Sequence, residues 1–236
     1  MTGEFAGQTV MITGAAGNLG RATATMFAVA GARCILLDVD RKNLDHLYGG
    51  DAKDRCLMAA DLLNAGDVAQ AVEAALARFA RIHVLCNVAG GFRMGHPVHE
   101  MPESTWRLMI GLNVESIINT ARAVVPGMLA AGSGKIVNVA AMAGTSGRAM
   151  MAAYSASKSA VIRLTESMAA ELGERGINVN CVMPSILDTP QNRAEMPNAN
   201  PARWVSPDAL AEVIVFLASS RSRAIHGAAV PVVGLS

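Results

Sequence analysis

Thr9-Val10-Met11-Ile12-Thr13-Gly14-Ala15-Ala16-Gly17-Asn18-Leu19-Gly20 reads as a strand, a tight turn and the start of a helix within one short stretch. Thr9 to Ile12 is an unbroken apolar or β-branched run, and the glycines after it stop it. A helix then extends from about Gly20 to Ala30. In such a turn the glycines let the backbone approach a pyrophosphate, and the helix N-terminus attracts the anion. The position between strand and helix gives the pattern its weight, since glycines alone mark only a turn.

The same alternation continues along the chain. Further strands are expected at Arg33 to Leu37 (stopped by Asp38), Cys56 to Ala60 (before Asp61), Ile82 to Cys86, Lys135 to Val139, Ile177 to Met183 and Ala228 to Val233. Helical spacing appears at Arg41 to Tyr48, Asp67 to Phe79 and about Glu103 to Ala131, where Pro126 and Gly127 predict a bend or interruption. A further helix runs from Ala152 to Leu172, stopped by Gly173, and Pro207 opens a last one through Ala218. Strands alternating with helices imply a parallel sheet covered on both faces. The expected architecture is therefore α/β: a single Rossmann domain over residues 1–236, with a doubly wound, seven-stranded parallel sheet and helices on both faces. Pro231 in the last strand suits a sheet edge. Ser185 to Ser206, rich in Pro and Asn, reads as a long loop, and such loops in compact domains are usually lids or binding loops.

Composition narrows the function. The 236 residues are 52% hydrophobic and 17% charged, enough for a large core in one α/β domain. A net charge of +1, with no run of basic residues, gives no reason to expect nucleic acid or a membrane surface. No charge-free apolar stretch is long enough to span a bilayer, and the N-terminus lacks a signal-like segment. Cys34, Cys56, Cys86 and Cys181 lie far apart in apolar runs and read as buried thiols in a reducing compartment, so a cytoplasmic location is expected. No His/Cys/Asp cluster has metal-ligand spacing, and no metal is expected.

Two further features carry chemistry. Asp38 ends the second strand, where a carboxylate can accept the hydroxyls of an adenosine ribose and repel a 2′-phosphate. NAD(H) is thus expected over NADP(H), unless Arg33 or Arg41 offsets the repulsion. In Tyr154-Ser155-Ala156-Ser157-Lys158 the first and last residues lie one helical turn apart on one face. A phenol near pH 10 is a poor proton shuttle, and a neighbouring ammonium favours the phenolate.

In this order, Thr13-Gly14…Gly20, Asp38, Asp61-Leu62, Asn87-Val88-Ala89-Gly90, Asn113, Tyr154…Lys158 and Pro184…Thr189 make the chain resemble the short-chain dehydrogenase/reductase family along nearly its whole length. The resemblance implies a cofactor site formed by Thr13, Gly14, Gly17, Asn18, Leu19, Gly20, Asp38, Asp61, Leu62, Asn87, Ala89, Gly90, Pro184, Leu187 and Thr189. Asp61 and Leu62 would frame the adenine, while Leu187 and Thr189 would grip the nicotinamide carboxamide. It implies catalysis by Tyr154 as proton donor or acceptor. Lys158 would hold the nicotinamide ribose and lower the tyrosine's pKa, and Asn113 would hold a relay water. The family's usual assembly, a homotetramer or homodimer, would pair the helices around Glu103 to Ala131 and Ala153 to Leu172.

Three departures from the pattern matter. Asn18 stands where the middle glycine is usual, and Asn tolerates left-handed backbone. Ser185 replaces the glycine after Pro184. Ala141, thirteen residues before Tyr154, replaces the family's serine, whose hydroxyl stabilises charge on the substrate oxygen. Loss of such a donor costs about 1–3 kcal/mol; Thr145 or Ser146, a few residues on, are candidate substitutes. The dihydropteridine reductases lack this serine, and Val88-Ala89-Gly90-Gly91-Phe92, Leu187-Asp188-Thr189-Pro190-Gln191-Asn192-Arg193, Met196-Pro197 and Trp204 are similar to that branch. That similarity implies an NADH-dependent enzyme acting on a small conjugated or carbonyl substrate, with a quinonoid dihydropteridine as one candidate. The alternative is an NAD-binding sensor or subunit silenced by Ala141. His96, His99 and Arg93 lie near the expected mouth of the site, two of the three as solvated loop residues.

Overall fold

In the computed structural model, which describes residues 3–236, seven parallel strands form one sheet in the order β3-β2-β1-β4-β5-β6-β7. In chain order the elements are β1 (Thr9–Thr13), α1 (Asn18–Val29), β2 (Arg33–Asp38), α2 (Arg41–Tyr48), β3 (Arg55–Ala59), α3 (Ala65–Phe79) and β4 (Val84–Asn87). Then follow α4 (Glu103–Ile110), α5 (Ser116–Ala130), β5 (Gly134–Val139), α6 (Ala152–Leu172), β6 (Ile177–Pro184), α7 (Pro190–Glu195), α8 (Pro207–Ala218) and β7 (Ala229–Val232). The expected single-domain Rossmann architecture is the one observed.

The strands are apolar on both faces because both faces are covered. Val10, Ile12, Cys34 and Leu36 point to one layer, where they meet Phe27 of α1, Leu44 of α2 and Leu210 and Ile214 of α8. Met11, Ile35, Leu37 and Leu85 point to the other, against Val72 and Phe79 of α3, Val124 and Met128 of α5, and Leu172 of α6. All four cysteines are buried and free.

The sheet's two edges are blunted differently. On β3, the outward N–H of Leu57 donates to Asp51 Oδ1 at 2.7 Å, and its carbonyl accepts from Arg41 Nη1 at 2.8 Å. Ala52 and Arg55 satisfy each other's backbone groups. β7 forms the far edge and carries Pro231, which has no N–H to offer another strand.

Two expectations are corrected. The long helical region does not break at Pro126. α5 runs through Pro126 without a break, and Val124 and Met128 on either side of it are buried in the core. The irregularity lies earlier, in a π-helical turn at Gly111–Glu115 that joins α4 to α5 and carries Asn113; π-turns often mark functional sites. The continuous stretch Glu103–Ala130 is long and apolar enough to cross a membrane by length and hydropathy alone. It packs on α3 and α6 as a core helix does. Nor is Ser185 to Ser206 loop throughout: it holds α7 and a 3-10 turn at Pro201–Arg203. Its ends are joined by Val205 N–H to Ile186 O (3.0 Å) and Asp188 N–H to Val205 O (2.8 Å).

Candidate active site

Because the strands are parallel, Gly14, Asp38, Asp61, Asn87, Ala141 and Pro184 all lie at the carboxyl ends of β1 to β6 or just beyond. The sheet changes direction between β1 and β4, the place where doubly wound sheets bind ligands. Thr13 joins these two strands: its buried Oγ1 accepts the N–H groups of Val88 and Ala89, both at 3.1 Å.

Only two of the turn's glycines are required by geometry. Gly14 has φ +65, and a Cβ there would lie 2.8 Å from Ala89 Cα. At Gly20 a Cβ would lie 2.1 Å from the Gly14 carbonyl oxygen. Gly17, the N-cap of α1, has ordinary extended backbone and space for a methyl. Asn18 is the first residue of α1 and needs no left-handed conformation, so its departure from the family pattern is harmless for a simpler reason than its tolerance of that region. Leu19 is buried under the turn. Among the described residues no side chain caps the N-terminus of α1, and no acidic residue lies in its first turn, which leaves its N–H groups and positive dipole end open to an anion.

Asp38 is held over this turn. Its Oδ2 accepts the Ala16 N–H at 2.9 Å and its Oδ1 the Val39 N–H at 2.8 Å. A carboxylate retains acceptor capacity after two such bonds. Tyr48 braces the same turn, donating to Ala15 O at 2.7 Å. Asp61 is exposed and accepts the Leu63 N–H, while half-buried Leu62 is anchored by Asn119 Nδ2 on its carbonyl.

The other half of the site is held by side chains distant in sequence. Asn87, Asn138, Thr120 and Thr165 form a buried chain of hydrogen bonds: Thr120 Oγ1 to Asn87 Oδ1 (2.8 Å), Asn87 Nδ2 to Asn138 Oδ1 (2.8 Å) and Asn138 Nδ2 to Thr165 Oγ1 (3.0 Å). Asn113 Oδ1 accepts the Gly91 N–H at 2.9 Å; its Nδ2 donates to Gly91 O at 3.1 Å and to Ser157 Oγ at 2.9 Å. Its side-chain amide is thereby bonded to the protein through both its oxygen and its nitrogen. Ser157, which local sequence did not single out, donates in turn to Tyr154 O at 2.8 Å.

Lys158 is buried, and its Nζ donates to Val139 O at 2.8 Å. An ammonium has three donors, and among the described residues this is the one that a protein group takes. Gly90 leaves room beside it, since a Cβ there would lie 3.2 Å from Nζ and 2.7 Å from Asn113 Oδ1. The Tyr154 hydroxyl has no protein hydrogen-bond partner among the described residues, and its ring meets Phe92 edge to face. The expectation that Lys158 acidifies Tyr154 is not met by the protein's own groups. Burial pushes the phenol up to about 12 and pulls Lys158 down to about 8, because desolvation disfavours both charged forms.

Ala141 is buried and presents no hydroxyl. Thr145 is exposed and donates to Met142 O at 2.8 Å; Ser146 is exposed as well. Leu187 bridges to Val205, and Thr189 caps α7 through Oγ1. Trp204 is buried, so its indole packs rather than standing open to the cleft. Ser185 has a role that no local signal announced: its Oγ reaches Val233 O (2.8 Å) and Ser236 Oγ (2.7 Å), tying the last residues to the start of the 185–206 segment. His99 pairs with Glu100, while Arg93 donates to Phe92 O and lines a small pocket with exposed His96.

A short chain dehydrogenase family model matches residues 8–200. The chain belongs to the short-chain dehydrogenase family. It is 34% identical to a 3-oxoacyl-(acyl-carrier-protein) reductase of Thermotoga maritima over 97% of each chain. It is also 34% identical to a D-threitol dehydrogenase of Mycolicibacterium smegmatis, over 94% of this chain and 90% of the relative. Among solved structures, NAD+-bound xylitol dehydrogenase matches with a TM-score of 0.90 at 27% identity, covering 98% and 99% of the two chains. A 3-ketoacyl-(acyl-carrier-protein) reductase from Brucella melitensis complexed with NADH matches with a TM-score of 0.87 at 29% identity, covering 97% and 98%.

Proposed function

We propose that this short-chain dehydrogenase is an NAD(H)-dependent oxidoreductase for a small conjugated or carbonyl substrate, with a nicotinamide cofactor supplying or accepting the hydride. The observation that carries this reading is the buried Lys158 ammonium with one protein partner among the described residues, one helical turn from a tyrosine whose hydroxyl has none among them, at the same carboxyl-terminal end of the sheet as a helix N-terminus that no described side chain caps. The free donors of Lys158 suit ribose hydroxyls, and the close approach at Gly14 suits a pyrophosphate against the α1 N-terminus.

Asp38 binds the adenosine ribose with its remaining lone pairs. NAD(H) is favoured because neither arginine that sequence offered as a counter-charge is placed to serve. Arg41 is engaged by Asp45, Asp51 and Leu57 O, and Arg33, at the start of β2, donates to Gly7 O at the opposite end of the sheet. Asp61 and Leu62 frame the adenine, and Leu187 and Thr189 hold the carboxamide. Tyr154 donates or takes the substrate proton, and Lys158, with donors left for the hydroxyls of a nicotinamide ribose, would hold that sugar.

Ala141 marks the substrate. With no hydroxyl there, a substrate that tolerates weak polarisation of its oxygen fits best, and a quinonoid dihydropteridine or a quinone-like ring meets that condition. The named dehydrogenase and reductase relatives do not favour the silent-sensor alternative. We also assign the chain to a homotetramer or homodimer formed through α4, α5 and α6, supported by exposed Trp106 and Ile118 on that side; sedimentation as a monomer would refute it.

The test is NADH and NADPH oxidation with quinonoid dihydropterin, quinones and diketones. NADH-dependent turnover is expected, and Tyr154→Phe should lower it about 10²–10⁴-fold with NADH affinity retained. Undiminished turnover in that variant rules out the mechanism. Tight NADH binding without turnover on any compound rules out the enzyme reading.

A further inference from the structure

Phe92 follows Gly90-Gly91, where the backbone is held from several sides. Asn113 bonds both the N–H and the carbonyl of Gly91, and Thr13 holds the N–H groups of Val88 and Ala89. A Cβ at Gly91 would lie 2.9 Å from Leu112 Cδ1 and 3.2 Å from Met109 Cε. With its main chain so fixed, Phe92 sends its ring to Tyr154, where the centroids are 4.8 Å apart and the planes meet at 88°. The tyrosine's polar support acts on its main chain, through Ser157, and nothing among the described residues bonds its hydroxyl. The direction of the phenol therefore depends on packing, and Phe92 supplies the aromatic partner in its favoured edge-to-face geometry. Phe92 is itself 39% exposed, so it stands between the tyrosine ring and solvent.

We propose that Phe92 is a positioning residue, which aims the Tyr154 hydroxyl and keeps water from the flank of its ring. The proposal rests on Tyr154 being the proton-handling group of the reading above, and its test is chosen to fail separately. The chain has two tyrosines, so a 13Cζ-tyrosine label gives two resonances, and the one lost in Tyr154→Phe belongs to Tyr154. The phenol is pushed up to about 12 in the protein. Phe92→Ala should move the midpoint of that resonance down by about one pH unit or more, towards the ordinary value near 10. Phe92→Leu, which retains bulk, should move it less and serves if the alanine variant does not fold. NADH affinity, read by fluorescence, should stay within about twofold in both. On any substrate found, kcat should fall about tenfold in Phe92→Ala with KM nearly unchanged, and Phe92→Trp should restore most of it.

A midpoint unmoved in both the alanine and leucine variants overturns the proposal, even if turnover falls, because a loop-holding role alone would then explain the loss. A lowered midpoint in a chain that turns over no substrate supports the role of Phe92 and counts against the enzyme reading instead.

Discussion

The two halves of the site are built on opposite principles. At the β1–α1 turn, almost everything is backbone: Gly14 and Gly20 admit the close approach of neighbouring main chain, and Asp38 grips the turn through N–H groups. Around Tyr154 the work is done by side chains far apart in sequence, with Asn113 reaching Ser157 and Gly91, and Asn87 reaching Asn138. A backbone site fails when a side chain is added. A side-chain site fails when one is removed, because each buried polar partner left behind costs about 1–3 kcal/mol.

That contrast is open to direct attack. The largest effect should come from Gly20→Ala, whose methyl has no room against the Gly14 carbonyl. Overpacking of this kind costs at least about 1–3 kcal/mol of stability, and the distorted turn should abolish measurable NADH binding. Gly17→Ala, three residues earlier and with space for a methyl, should shift stability by less than about 0.5 kcal/mol. Chemical denaturation and NADH titration read both, and equal damage at the two glycines would show that the close approach at Gly20 is not what the turn depends on.

On the other half, Ala141→Ser restores a hydroxyl that the site lacks. It should raise kcat/KM on a simple ketone by roughly 10–150-fold, the worth of one such donor. No gain would mean that Thr145 or Ser146 already does the work, although the Thr145 hydroxyl donates to its own turn.

A further effect is electrostatic. Burial holds Lys158 at about 8, well below its ordinary 10.5. Between those two values the unfolded chain holds a proton on Lys158 that the folded one lacks, so the contribution of Lys158 to stability without added cofactor should rise from about pH 8 to 10.5, while the four buried thiols, raised by desolvation, pull the other way above about 9. Below about 8 both states carry the proton, and the full cost of burying the charge is present. Lys158→Met should remove that contribution, so the variant's stability should gain less, or fall more, than the wild type's across this range; a difference that does not change with pH would show that Lys158 is better solvated than its burial implies.

How much of this was legible depended on range. Asp38, Gly14, Gly20 and the Tyr154–Lys158 pair could be read directly, since strand ends, turn glycines and one-turn spacing are local signals. The π-turn under Asn113 was not: Pro126 is the stronger helix breaker in sequence, yet the helix runs through it and turns irregular at Gly111–Glu115 instead. The partners of Ser157 and Ser185 were equally hidden, because their bonds cross elements that sequence does not bring together.

The sequence by itself determined the alternation of strands and helices, the double covering of the sheet, and the residue types at each strand end, because periodicity and steric limits act over a few residues. Tertiary structure alone decided the balance of charge around Tyr154 and Lys158. How far each is buried follows from what packs over it, and desolvation, not the attraction that their spacing promised, is the largest cause of both shifts.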